Sequence, residues 1–110
     1  MFYKATSAGY QSPLKGVKMK TLTHGERTLF SEFRFEQGAV IPVHTHPHEQ
    51  TGYVVKGAMR FTVNGEVIVT NAGDCWNIPG NVPHGAEALQ ESIVVEIFSP
   101  VREDYLPSRE

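Results

Sequence analysis

The sequence predicts an all-β domain built from about eight short antiparallel strands. Three observations carry this. Ten glycines and seven prolines cut the chain into short apolar runs, the rhythm of an all-β protein. Phe33 and Phe35 alternate with Glu32, Arg34 and Glu36, which is the two-residue period of a strand. Val63-Asn64-Gly65-Glu66 is a hairpin signal, because Asn-Gly accepts the positive φ of a type I′ turn.

The runs follow in order. Val17–Thr23 and Thr28–Phe35 flank His24-Gly25-Glu26, in which His24 reads as a solvated turn residue. Val40–His46 stops at Pro47, which must bend or interrupt a strand. Gly57 separates Thr51–Val55 from Ala58–Val63, and the Asn-Gly turn leads into Val67–Thr70. Gly73 precedes Cys75–Ile78, and Ile93–Phe98 is the last strong run. No window sustains helical periodicity; only the tail, Pro100–Leu106, is expected to make one turn. Strands this short and close must form a sandwich or a barrel, and periodicity does not choose between them.

The formal net charge is −2, and lysines and arginines are scattered, so no nucleic-acid or membrane-surface footprint is expected. No run approaches the length of a membrane span, and the first residues lack an apolar signal-peptide core. The single cysteine, Cys75, excludes an internal disulfide framework and suits a reducing cytoplasm. It reads as a packed, inert thiol. A soluble cytoplasmic protein is expected.

Chemistry concentrates in His44-Thr45-His46-Pro47-His48-Glu49-Gln50. His44 and His46 are two apart, so on a strand both imidazoles point to one side. His84 arrives far downstream in Ile78-Pro79-Gly80-Asn81-Val82-Pro83-His84. Two close ligands joined by distant ones is how a folded barrel builds a metal site, and imidazoles alone do not name the metal. His48 reads as a surface residue or one supporting the site, and Glu49 as solvent-facing.

Gly38, His44, His46, Gln50 and Gly57 resemble the first cupin motif, and Gly73 with Pro79-Gly80-Asn81-Val82-Pro83-His84 resembles the second. The resemblance implies a cupin-type double-stranded β-helix, or jelly-roll barrel, with a single domain over residues 1–110. Its core barrel would span about 17–99, with an arm at 1–16 and a tail at 100–110. It further implies one divalent ion (Zn, Ni, Fe, Mn or Co) held by His44, His46, Gln50 and His84. Gln50 stands where the family commonly has glutamate, Asn81 where glycine is common, and Ala88 where asparagine is common. An amide brings no charge, so the cation would keep more of its own and favour an anionic ligand.

Val94, Glu96 and Phe98 share a face of the last run, and an acid there must be paired, protonated or turned to a polar cavity. With the ending Phe98-Ser99-Pro100-Val101-Arg102-Glu103-Asp104-Tyr105, the chain is similar to the small pectin-degradation cupins that ketonise 4,5-unsaturated uronates. That likeness implies a metal-dependent isomerase or tautomerase acting on a small acidic sugar, with Glu96 and Arg102 catalytic and Phe98 and Arg102 contacting substrate. The group's acid is typically aspartate, one methylene shorter than Glu96. Arg102 has a second reading, an ion pair with Glu103 or Asp104. A metal-dependent dioxygenase and a non-catalytic module for an acidic metabolite are the alternatives. A homodimer is also implied, with the segment from Met1 to Leu14 pairing across its interface.

Overall fold

Ten strands follow one another in the computed structural model, which describes residues 1–107. They are β1 (Gln11–Leu14), β2 (Val17–His24), β3 (Leu29–Phe35), β4 (Val40–His44) and β5 (Glu49–Lys56), then β6 (Ala58–Val63), β7 (Glu66–Asn71), β8 (Cys75–Ile78), β9 (His84–Ala88) and β10 (Ser92–Ser99). Six form one sheet in the order β1-β2-β3-β10-β5-β8, and four form the other in the order β4-β9-β6-β7. All pairings are antiparallel. The two sheets face each other as a jelly-roll barrel, which resolves the choice between sandwich and barrel. Among the described residues no helix is long and apolar enough to cross a membrane.

Alternation decides what enters the barrel. Phe33 and Phe35 of β3, Val54 of β5 and Val94 and Phe98 of β10 point inward and meet Val17, Leu29, Met59 and Phe61. Burying each large apolar side chain contributes about 1.5–3 kcal/mol. The Asn-Gly turn has positive φ at both residues, 51° and 82°, so the expected hairpin joins β6 to β7. Asn81 also takes a positive φ, 67°, which an asparagine tolerates. A short 3-10 turn, Glu103–Tyr105, falls inside the helical turn expected at the tail. The last three residues of that tail, 108–110, lie outside the described part.

Several boundaries differ from the sequence reading. β4 ends at His44, so His46 is not on a strand, and β5 begins at Glu49 and carries Gln50. β9 was not expected, because Gly85, Ala86 and Glu87 have little β propensity and pairing with β4 and β6 makes them a strand. The N-terminal arm pairs within the chain, β1 adding an edge to β2. Cys75 is exposed and not packed. It lies opposite Tyr53, also exposed, and alternation turns the next residue, Trp76, inward instead.

Candidate metal and substrate site

The site starts from one cross-strand pair. His44, the last residue of β4, lies opposite His84, the first of β9, and their ring centroids are 4.4 Å apart. His46 stands past the end of β4, just before Pro47, and its ring comes within 5.5 Å of His44 and 4.8 Å of His84. The shared side of a strand is therefore not what joins His44 to His46; the bend of the chain after β4 is. Ligand nitrogens of the three rings lie within 4.8 Å of one another, positioned to bind a metal ion.

Backbone carbonyls set the tautomers. The Nδ1–H of His44 donates to Pro42 and that of His84 to Val82, each at 2.8 Å. Each ring then keeps its lone pair on Nε2. The Nε2 of His84 is buried with no protein partner, as are Nδ1 of His46 and Nδ1 of His48. An orphaned buried nitrogen costs about 1–3 kcal/mol, and a cation would use the one on His84. Burial pushes His46 down to about 4, helped by the nearby charge of Arg102 and by His84. Burial also lowers His84, against the bond to Val82. Both shifts favour the neutral ring, the form that binds a cation.

Gln50 enters from β5, where it lies between Ile78 of β8 and Phe98 of β10. Its Oε1 is 3.0 Å from Nε2 of His46. Two donors about 2.1 Å from one ion at a right angle are roughly that far apart, so the spacing also suits a shared cation. On its other side the amide Nε2 donates to Oε2 of Glu96, and the indole N–H of Trp76 donates to the same oxygen at 3.1 Å. Glu96 is 6% exposed, so the polar-cavity reading of this acid holds and the solvated-edge reading does not. Burial raises its carboxyl to about 7; Trp76, Gln50 and Arg102 pull in the other direction.

Arg102 makes the ion pair of its second reading, with Asp104, and also lines the cavity beside the histidines. It pairs with Asp104 through Nε at 3.1 Å and Nη2 at 2.7 Å. Yet its side chain is only 13% exposed, against 58% for Asp104. Its guanidinium lies 4.0 Å from the Tyr105 ring and 5.0 Å from that of Phe98. A cavity of about 90 Å³ is lined by His44, Gln50, His84, Glu96, Phe98 and Arg102, among others, which is room for several waters. The residues singled out from sequence thus meet at one space, with His46 alongside.

His48 is half-buried, its ring 5.5 Å from that of His46 and outside the three-histidine cluster. Glu49 is exposed and accepts a bond from Asn77, and His24 is exposed at the end of β2. Sequence reasoning missed Trp76 and Tyr105, and named Asp104 only as one of two ion-pair partners for Arg102. The only available signal for Trp76 was an inward-facing tryptophan in a four-residue strand.

The cupin domain family profile matches residues 31–99. The chain is 32% identical to the pectin degradation protein KdgF of Dickeya dadantii (strain 3937) over 93 residues, 83% of this chain and 84% of that one. The structure of KdgF from Halomonas sp. superposes with a TM-score of 0.90 at 34% identity, covering 96% of this chain and 100% of that one. An RmlC-like cupin from Shewanella frigidimarina NCIMB 400 also gives a TM-score of 0.90, at 32% identity, covering 96% and 95%.

Proposed function

This chain belongs to the cupin domain family, and from that premise we propose that it is a metal-dependent isomerase that opens and ketonises a 4,5-unsaturated uronate in pectin or related polysaccharide breakdown. The observation that carries the reading is a three-imidazole cluster, two of whose rings line one cavity with Gln50, Glu96, Phe98 and Arg102. The likeness to two KdgF proteins, one of them named for pectin degradation, supports it.

In this reading His44, His46, His84 and Gln50 hold one divalent cation. When bound, the cation supplies a Lewis-acid contact for a carboxylate or hydroxyl oxygen of the substrate. The four donors are neutral, which favours an anionic ligand. Arg102 clamps the substrate carboxylate with the part of its guanidinium that Asp104 leaves free. Phe98 walls the space and stacks on that guanidinium.

The reaction is a redistribution of protons. The C1 hydroxyl gives up its proton and the ring oxygen gains one as the bond from C1 to that oxygen breaks, giving an aldehyde and an enol at C5. The enol proton then leaves and C4 gains one, so a ketone forms at C5 with no oxidant consumed. Glu96, the acid beside the cavity, is assigned the proton exchange.

Metal-loaded protein mixed with a 4,5-unsaturated galacturonate is expected to speed the loss of the ring form, followed by proton NMR, without oxygen uptake. A rate equal to that of buffer would sink the proposal, and oxygen consumption would move the chain to the dioxygenase class. Turnover in a homodimer is part of the proposal, and a monomer mass by light scattering would remove that part. Cytoplasmic location belongs to it too, since the lone Cys75 suits a reducing compartment.

A further inference from the structure

Across three adjacent strands, Trp76 of β8, Gly52 of β5 and Glu96 of β10 form one row: Gly52 lies opposite Trp76 on one side and opposite Glu96 on the other. Residues in such a row point to the same face. Trp76 and Glu96 are two strand spacings apart, roughly 9.6 Å, beyond reach of an ordinary side-chain pair. The indole crosses that gap by lying over Gly52. A Cβ at Gly52 would sit 2.2 Å from Cε2 and 2.4 Å from Nε1 of the ring, so no other residue fits beneath it. From the opposite sheet Phe61 packs on the indole, with ring centroids 4.5 Å apart. The indole N–H is thereby delivered to Oε2 of Glu96 at 3.1 Å.

That oxygen is also the acceptor for the amide of Gln50. An amide can turn over and present either its carbonyl or its NH₂ group, at little intrinsic cost. Turned wrongly, Gln50 would aim N–H donors at the cation. An indole N–H only donates, so Oε2 of Glu96 is held as an acceptor whether or not the other oxygen carries a proton. Facing an acceptor, Gln50 must offer its NH₂ and send Oε1 toward His46. We propose that Gly52 and Trp76 are positioning residues for the metal site, acting through Glu96 to keep the carbonyl of Gln50 turned to the ion. This rests on the reading of Gln50 as a metal donor.

The test is zinc affinity, measured on the full chain by competition with a chromophoric chelator. Outer partners of metal ligands are typically worth about 10–100-fold in affinity. Trp76→Phe keeps a ring over Gly52 and removes the N–H, and it is expected to weaken zinc roughly tenfold while circular dichroism stays unchanged. Gln50→Ala is expected to weaken zinc as well, and adding Trp76→Phe to it to cost nothing further. Gly52→Ala is expected to weaken zinc and to shift the emission of the chain's single tryptophan as the indole is pushed aside.

If Gly52→Ala fails to fold, the other two variants and their combination carry the test. A Trp76→Phe protein within twofold of wild type, alongside a weakened Gln50→Ala, overturns the positioning role and leaves Gln50 as a donor. An unchanged Gln50→Ala overturns both. An undiminished cost of Trp76→Phe in the Gln50→Ala background also overturns the positioning role.

Discussion

β10 sends Val94 and Glu96 into the barrel from the same face, two residues apart, into opposite surroundings. Val94 lies opposite Phe33 on one side and Val54 on the other, in the apolar half of the interior. Glu96 sits where Gln50 and Trp76 meet, beside the histidines. β5 divides in the same way, with Val54 at the apolar end and Gln50 at the polar end, and β9 runs from His84 to the buried Ala88. Strand alternation therefore decides only whether a side chain points inward. Which half it enters depends on how far along the strand it lies. The apolar half is self-sufficient, whereas the polar half carries imidazole nitrogens that no protein group satisfies. Both halves wall the one cavity, the first with apolar side chains such as Phe33 and Val94, the second with polar donors.

The largest effect is expected where the apolar half is hollowed out. Phe33→Ala should lower the unfolding free energy by about 3–5 kcal/mol in urea denaturation, by the same amount with and without metal. A loss that depends on metal would mean that the two halves are not separable. His84→Ala should do the reverse. It removes an orphaned buried nitrogen and should leave the metal-free protein near its original stability. It should abolish the stabilisation by zinc, which for wild type is about 2.7 kcal/mol at a free concentration of 100 Kd. Thermal melts with and without zinc measure both.

A smaller effect is expected at the rim. Asp104→Ala unbraces Arg102, and galacturonate binding by calorimetry should weaken by roughly twofold to fivefold, with galactose binding unchanged. Tighter galacturonate binding would make Asp104 a competitor for the guanidinium. The smallest effect is expected outside the barrel, at Glu32. Burial alone would raise Glu32, but hydrogen bonds from Arg34 and Tyr10 outweigh it and lower the carboxyl. A group lowered by folding stabilises above its unfolded range, near 4.3, and loses that contribution as pH falls through its depressed folded value. The gap in urea midpoint between wild type and Glu32→Gln should therefore narrow as pH falls below about 4.3, and a constant gap would remove the charge from the account.

Much of this was legible in the chain. Asn64-Gly65, the alternation around Phe33 and the spacing of glycines and prolines are local signals, and local signals survive into the fold because backbone conformation is decided within a few residues. That His44, His46, Gln50 and His84 come together was legible for a different reason: a motif is a matter of residue type and order. β9 was hidden because its strand state is imposed by neighbours. Cys75 was misplaced because a four-residue strand gives no register until Tyr53 is seen beside it.

By itself the sequence determined an all-β chain whose two motifs resemble those of a cupin, with three imidazoles, an amide, an acid and an arginine in order. Only the tertiary structure decided what those groups do to one another. It made Arg102 both a partner of Asp104 and a wall of the cavity, and it turned Gln50 between His46 and Glu96. It also gave Gly52 a role that no reading along the chain contains. The reason is geometric: a glycine's value lies in what crosses above it, and Trp76 and Glu96 meet there only once three strands lie side by side.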